Sequence, residues 1–77
     1  MPKFNQNPTP LEVERRAAGL TRQQLSKKSG ISLGTIKEYE QRRNNINNAR
    51  AVIVVDLADA LGVPVQKILN ERSDSDA

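Results

Sequence analysis

The segment 32–38 contains residues that can share one surface, namely hydrogen-bonding side chains and the apolar Leu33. Their spacing predicts a helix, on which positions 33, 34, 37 and 38 share one face, a turn apart. On that face Lys37 can donate hydrogen bonds, Glu38 can accept them, and Leu33 offers an apolar contact. Chemistry of this kind recognises another molecule by hydrogen bonds and shape.

Catalytic chemistry has little support in this sequence. The sequence contains no His and no Cys, which removes the commonest general base, the commonest metal ligand and any thiolate. Catalysis would depend on Asp, Glu, Lys, Ser or the single Tyr39, and no spacing groups these residues as a site. We therefore predict a protein that is not an enzyme, with no catalytic or metal-binding residues, no cofactor and no small-molecule effector.

Two short helices separated by Gly30 must position the polar face. Thr21 and Gln24 have the spacing of a capping box, which predicts a helix start at Arg22. Gly30 can adopt the left-handed conformation that ends a helix and reverses the chain, and Ser32 can cap the next helix. The two helices together have the pattern of a helix-turn-helix, whose second helix enters the DNA major groove.

Apolar periodicity predicts the remaining elements of an all-α fold. Leu25, Ile36 and Tyr39 are the predicted inward residues of the two short helices, and Leu11, Ala17 and Ala18 those of the first. The Val52–Val55 run is strand-like by propensity, but the apolar spacing from Ile53 to Leu61 is helical and no second strand is available. The five predicted helices span about Pro10–Ala18, Arg22–Ser29, Leu33–Gln41 and Ala49–Leu61, with a short fifth that begins at Pro64 and contributes Val65, Ile68 and Leu69 to the core.

Composition divides the chain into a folded part at 9–70 and two terminal segments. Residues 1–8 are rich in Pro and Asn and are predicted to be a flexible arm, and residues 71–77 are predicted to be a disordered acidic tail. No apolar run is long enough to span a membrane, and no signal-peptide pattern is present. We expect a cytoplasmic protein without membrane partners, associated with the nucleoid if it binds DNA.

Charge is distributed unevenly along the sequence. Residues 1–50 carry ten Lys and Arg against four Glu, a net charge of +6, whereas residues 51–77 carry two against five acids, a net charge of −3. The basic half contains the helix-turn-helix pattern and the loop that follows it. Scattered charge can simply keep a small domain soluble, but this coincidence favours a surface for phosphates.

Residues 9–70 resemble the Cro/phage-repressor (XRE-like) helix-turn-helix family. The resemblance implies a lambda-repressor-like DNA-binding domain, in which helices 2 and 3 form the helix-turn-helix. It also implies a partly buried ion pair between Arg15 and Glu40 that ties the first helix to the third. The residues that carry it are Arg15, Gly19-Leu20-Thr21, Leu25-Ser26, Ser29-Gly30-Ile31-Ser32, Thr35-Ile36, Tyr39-Glu40 and Leu57-Ala58-Asp59-Ala60-Leu61-Gly62-Val63.

Side-chain chemistry then divides the expected DNA contacts into two groups. In the major groove, Lys37 can donate to guanine, Glu38 can accept from cytosine, and Leu33 can pack on a thymine methyl. Gly34 either allows a close approach of the helix backbone or has no role. The expected base contacts are Ser32, Leu33, Gly34, Lys37 and Glu38. The expected phosphate contacts are Arg22, Gln23, Arg42, Arg43, Asn44 and Arg50.

The expected function is a sequence-specific regulator of transcription, acting as a repressor of phage or mobile-element type on double-stranded DNA. By family analogy it would be a homodimer on a pseudo-palindromic site. Ile46 and part of the fifth helix are the candidate dimer surfaces, with a place in the core as the alternative for Ile46. The alternative is an antitoxin or anti-regulator that uses the same fold mainly to bind a protein. The short terminal segments leave little room for a partner-binding extension, which disfavours this alternative.

Overall fold

A computed structural model describes residues 8–70 of the protein. This range contains α1 (Pro10–Ala17), α2 (Arg22–Ser29), α3 (Leu33–Glu40) and α4 (Ala51–Leu61), with single 3-10 turns at Ile46–Asn48 and Val65–Lys67. No strand occurs in this range, so the helical interpretation of Val52–Val55 is confirmed. None of the helices in residues 8–70 is long and apolar enough to cross a membrane.

The predicted count of five helices needs correction, because residues 8–70 contain four α-helices. After Pro64 the chain makes only one 3-10 turn, in which Ile68 N–H donates to Val65 C=O at 3.0 Å. The backbone N–H of Asn70 donates instead to the Asn47 side chain at 2.8 Å. This bond draws the chain away from a helical path, so a fifth helix does not develop.

Local capping fixes the turn between α2 and α3 as the sequence predicted. The Thr21 hydroxyl accepts from Gln24 N–H at 3.1 Å, and the Gln24 side chain accepts from Thr21 N–H at 2.8 Å. Gly30 has a φ of 78°, the left-handed conformation that ends α2. Ser32 then caps α3 by accepting from Thr35 N–H at 3.2 Å. The orientation of α3 is therefore set by the residues at its start.

One apolar core holds the helices together. The predicted inward residues Leu25, Ile36 and Tyr39 are buried, and Val54 and Leu57 are buried on α4. Leu11, Ile46 and Ile68 complete the set of fully buried large apolar side chains. Val65 and Leu69 pack against this core while partly buried, as the sequence predicted for them.

The inward face of α1 differs from the prediction. Ala17 and Ala18 are exposed, and the residues that α1 buries are Leu11, Glu12 and Arg15. The helix therefore turns a partly polar face inward, which apolar periodicity alone does not reveal. The predicted tail at 71–77, and the predicted arm except Pro8, lie outside the described residues.

Candidate functional site

The carboxylate of Glu40 lies where α1, α2 and α3 meet. Arg15 donates to it through both Nε and Nη2, at 2.7 Å to Oε2 and 3.0 Å to Oε1. Arg22, in the first turn of α2, donates through Nε to Oε1 at 2.8 Å. The Glu40 side chain is completely buried, so two arginines compensate its charge in a place that water does not reach.

This cluster connects the helix-turn-helix to α1 at several points. Arg15 also donates through Nη1 to the backbone carbonyl of Leu20 at 2.9 Å, which fixes the segment between α1 and α2. The Arg22 side chain is 31% exposed, against 10% for Arg15, so its guanidinium lies between the buried carboxylate and the surface. Arg22 therefore joins α2 to α3, a structural role that the sequence did not predict for it.

All five expected base-contacting residues are exposed on α3 or at its cap. They share the solvent side of the helix, opposite the buried Ile36 and Tyr39. Leu33 is one of four large apolar residues that are exposed in the described part of the chain, and is 38% exposed. A Cβ atom added at Gly34 would meet nothing within 4 Å, so the surface above this position is open.

A groove with basic walls runs between the end of α1, the start of α2 and the start of α3. Leu33 and Lys37 line it from α3, and Arg22 and Gln23 from α2. Arg16 lines it from α1, although the sequence gave no reason to choose this residue over its neighbours. The first turn of α2 adds backbone N–H groups and the positive end of the helix dipole, both of which favour an anion. The groove can therefore accept a phosphate beside the exposed face of α3.

The loop after α3 begins with a tight reversal that the sequence did not predict. Arg42 has a φ of 62°, the left-handed conformation that glycine usually supplies. The N–H groups of Arg42 and Arg43 donate to the carbonyls of Tyr39 and Glu38, at 3.2 and 2.9 Å. These are the two bonds of a Schellman motif, which satisfies the last carbonyls of α3.

Two of the predicted contact residues are bonded to each other at this reversal. The side-chain amide of Asn44 donates to Glu38 Oε1 at 2.6 Å. Arg43 is exposed beside them, and the exposed Arg50 lies farther along, at the start of α4. The expected phosphate contacts thus lie at three places: the start of α2, the loop after α3, and the start of α4.

A group of asparagines holds the later part of the same loop. The Asn47 side chain donates to the backbone carbonyl of Asn70 at 3.2 Å and accepts from its N–H at 2.8 Å. The Asn70 side chain in turn donates to Asn45 at 3.1 Å. Buried Ile46 lies between the two loop asparagines and anchors the segment in the core. The abundance of Asn in this loop was visible in the sequence. The contact between Asn47 and Asn70, 23 residues away, was not.

Comparison with protein families matches residues 11–68 to a helix-turn-helix family of XRE type. Comparisons with curated proteins and with solved structures found no match. The matched range covers more than half of the chain and includes all four α-helices except the first residue of α1. The chain therefore belongs to the XRE-type helix-turn-helix family, a family of DNA-binding transcription regulators.

Proposed function

We propose that this protein is a sequence-specific repressor that inserts the exposed face of α3 into the major groove of double-stranded DNA. The observation that carries the proposal is the division of α3 into two faces. Ile36, Tyr39 and Glu40 are buried, whereas the opposite face is open to solvent. Arg22 of α2 lies near the start of this face, and Arg42 and Arg43 follow its end. Repression needs only occupancy of the DNA site, so a small binding domain suffices for it.

Direct base contacts in this proposal come from the first turns of α3. Lys37 donates to guanine, Leu33 packs on a thymine methyl, and Ser32 donates or accepts at the groove edge. Gly34 brings the helix backbone close to the bases because no side chain stands in the way. Because Leu33 and Gly34 cannot donate side-chain hydrogen bonds, DNA shape supplies part of the specificity.

Phosphate contacts flank these base contacts. Gln23 and the first turn of α2 contact the backbone on one side of the groove, with Arg22 close to the surface beside them. Arg42, Arg43, Asn44 and, more weakly, Arg50 contact it on the other side. A protein that binds the genome in this way works in the compartment that holds the DNA, which we propose to be the cytoplasm.

A homodimer on a pseudo-palindromic site is part of the proposal. Ile46, one of the candidate dimer residues, is 1% exposed and belongs to the core, so it cannot provide a dimer surface. Val52 and Val55 are exposed, one turn apart on α4, and offer an apolar surface on which a second copy can pack. Sedimentation of the protein and of Val55→Lys on a two-site duplex would test this, since only the wild type should bind as two copies.

Selection from a randomised duplex pool tests the proposal. The enriched duplex and a scrambled duplex are then titrated at several salt concentrations. We expect the enriched duplex to bind several hundred-fold tighter, with inverted half-sites about one helical turn apart. Equal, weak binding to both duplexes would contradict the proposal and favour a protein partner, as in an antitoxin.

Matched charge variants make the same titration informative about the interface. Arg43→Gln should reduce the magnitude of the slope of log K against log salt by about 0.9 for each bound copy, because each copy loses one phosphate contact. Lys67→Gln removes the same charge from the 3-10 turn after α4, away from α3, and should leave the slope unchanged. Equal changes in both variants would mean that net charge, rather than a defined contact, causes the salt dependence.

A further inference from the structure

We propose that Glu38 is a positioning residue for the loop after α3, and that it holds Arg43 and Asn44 in place for the DNA backbone rather than reading a base. The consequence for DNA rests on the proposed function, whereas the contact itself belongs to the free protein. Glu38 thus positions the loop, whereas its neighbours Lys37 and Leu33 on the same face contact bases.

Glu38 makes three hydrogen bonds to Arg43 and Asn44, the two residues that follow the reversal at Arg42. Its backbone carbonyl accepts from Arg43 N–H at 2.9 Å and from Asn44 N–H at 3.3 Å. Its carboxylate accepts from the Asn44 side-chain amide at 2.6 Å. The last bond is charge-assisted, which makes it stronger than a bond between neutral groups. The backbone and the side chain of Glu38 thus hold Arg43 and Asn44, two of the expected phosphate-contacting residues.

The conformation of Arg42 explains why such a restraint is needed. Arg42 lies between the helix and the restrained residues, and its φ of 62° is unfavourable for a residue with a Cβ atom. The left-handed conformation costs Arg more than it would cost Gly, so the reversal is less stable here than it would be with Gly. The bond from Asn44 back to Glu38 closes a ring across this residue. It therefore favours the reversed conformation that brings Arg43 to its place.

A role in base recognition would use the same carboxylate differently. To read cytosine, Glu38 would have to turn toward the groove and accept from the base amine. In the structure Oε1 is bonded to Asn44 at 2.6 Å, so the carboxylate rests against the loop in the free protein, and base reading would have to come from Oε2 or from a rearranged side chain. The two roles consequently predict different outcomes when the carboxylate is removed.

Glu38→Gln and Glu38→Ala form a matched pair of variants. Both remove the negative charge, but only glutamine keeps an oxygen that can accept from Asn44. Dissociation constants are measured for the selected duplex and for each of its single base-pair variants. We expect Glu38→Ala to bind about fivefold weaker than Glu38→Gln, as the loss of one hydrogen bond implies. The loss should be equal across all base-pair variants, because positioning affects every sequence alike.

The partner residue gives a second criterion. Asn44→Ala should weaken binding at least as much as Glu38→Ala does relative to Glu38→Gln, because Asn44 also loses its own phosphate contact. In the Asn44→Ala background, Glu38→Ala and Glu38→Gln should then bind alike, because the bond between the two side chains is already absent. Loss of discrimination at a single base pair in Glu38→Ala would overturn the proposal in favour of base reading. A difference between Glu38→Ala and Glu38→Gln that persists in the Asn44→Ala background would also overturn it, because the two side chains would then act independently.

Nuclear magnetic resonance of the free protein separates this inference from the proposed function. The side-chain amide protons of Asn44 should shift in Glu38→Ala and stay close to their wild-type positions in Glu38→Gln. Unchanged Asn44 signals in Glu38→Ala would overturn the positioning role, whether or not the protein binds DNA. A shift in a protein that binds no duplex would leave the positioning contact standing and overturn the DNA-binding function instead.

Discussion

Arg15 and Glu40, 25 residues apart in sequence, are joined by two hydrogen bonds of 2.7 and 3.0 Å in the interior of the domain. Arg15→Ala should lower the free energy of unfolding by about 3 kcal/mol, because it leaves a buried carboxylate with only one cationic partner. DNA binding should weaken as well, since the same pair holds α3 against α1. Thermal melting together with a duplex titration measures both effects.

Arg16→Ala is the matched control for this ion pair. Arg16 pairs with Glu12 at 2.8 Å, but its side chain is 71% exposed. The Glu12 side chain is only 7% exposed, so Arg16→Ala leaves one mostly buried carboxylate without its ion pair and should cost about 1 kcal/mol, less than the loss of Arg15. If Arg15→Ala melted at the same temperature as Arg16→Ala, the pair with Glu40 would not stabilise the fold as we describe.

Gly34→Ala should change stability and DNA binding in opposite directions. Alanine favours a helix over glycine by up to about 1 kcal/mol, and the added Cβ meets no atom within 4 Å in the free protein. The melting temperature should therefore rise by several degrees. Affinity for the selected duplex should fall, because the methyl group stands where the helix backbone approaches the bases. An unchanged affinity would show that Gly34 has no role in the interface.

Leu33 should account for a preference for the thymine methyl group. Replacing thymine by deoxyuridine in the selected duplex should weaken binding of the wild-type protein about fourfold at the contacted position, as burial of one methyl group implies. Leu33→Ala should bind both duplexes equally. A deoxyuridine effect that persists in Leu33→Ala would assign the methyl contact to another residue.

Asn47→Ala should release the chain at Asn70. Two hydrogen bonds to the Asn70 backbone, of 3.2 and 2.8 Å, disappear in this variant. We expect a loss of about 1–2 kcal/mol in unfolding free energy and faster hydrogen exchange of the Asn70 amide. Asn48→Ala removes a neighbouring exposed asparagine and should have neither effect. Equal effects of the two variants would argue against a stabilising role for the bonds between Asn47 and Asn70.

Local chemistry in the sequence predicted the helix-turn-helix well. The Thr21–Gln24 capping box, the Gly30 reversal and the Ser32 cap each depend on residues at most three positions apart, and each is present. The helical stripe of α4 was predictable for the same reason, because its period is visible in the apolar residues. These features fix where α3 begins and which of its faces is buried.

Apart from the pair between Arg15 and Glu40, which the family resemblance implied, the contacts between distant residues were the part that the sequence concealed. Arg22 reaches Glu40 across 18 positions, and Asn47 reaches Asn70 across 23. The left-handed conformation at Arg42 was also hidden, because this position has no glycine that would have indicated it. The prediction that Ala17 and Ala18 face inward was wrong for a related reason. It counted only apolar residues, whereas α1 contacts α3 through Arg15.

The central claim is that the exposed face of α3 enters the DNA groove. Nuclear magnetic resonance titration with the selected duplex tests this claim most directly. Backbone amides at 32–38 and 42–44 should shift most, together with those at the start of α2. Amides around Val52 and Val55 on α4 should shift less, and only because a second copy packs against them on the duplex. The largest shifts on α4, with those of 32–38 unchanged at saturating duplex, would contradict our assignment of the DNA-binding surface.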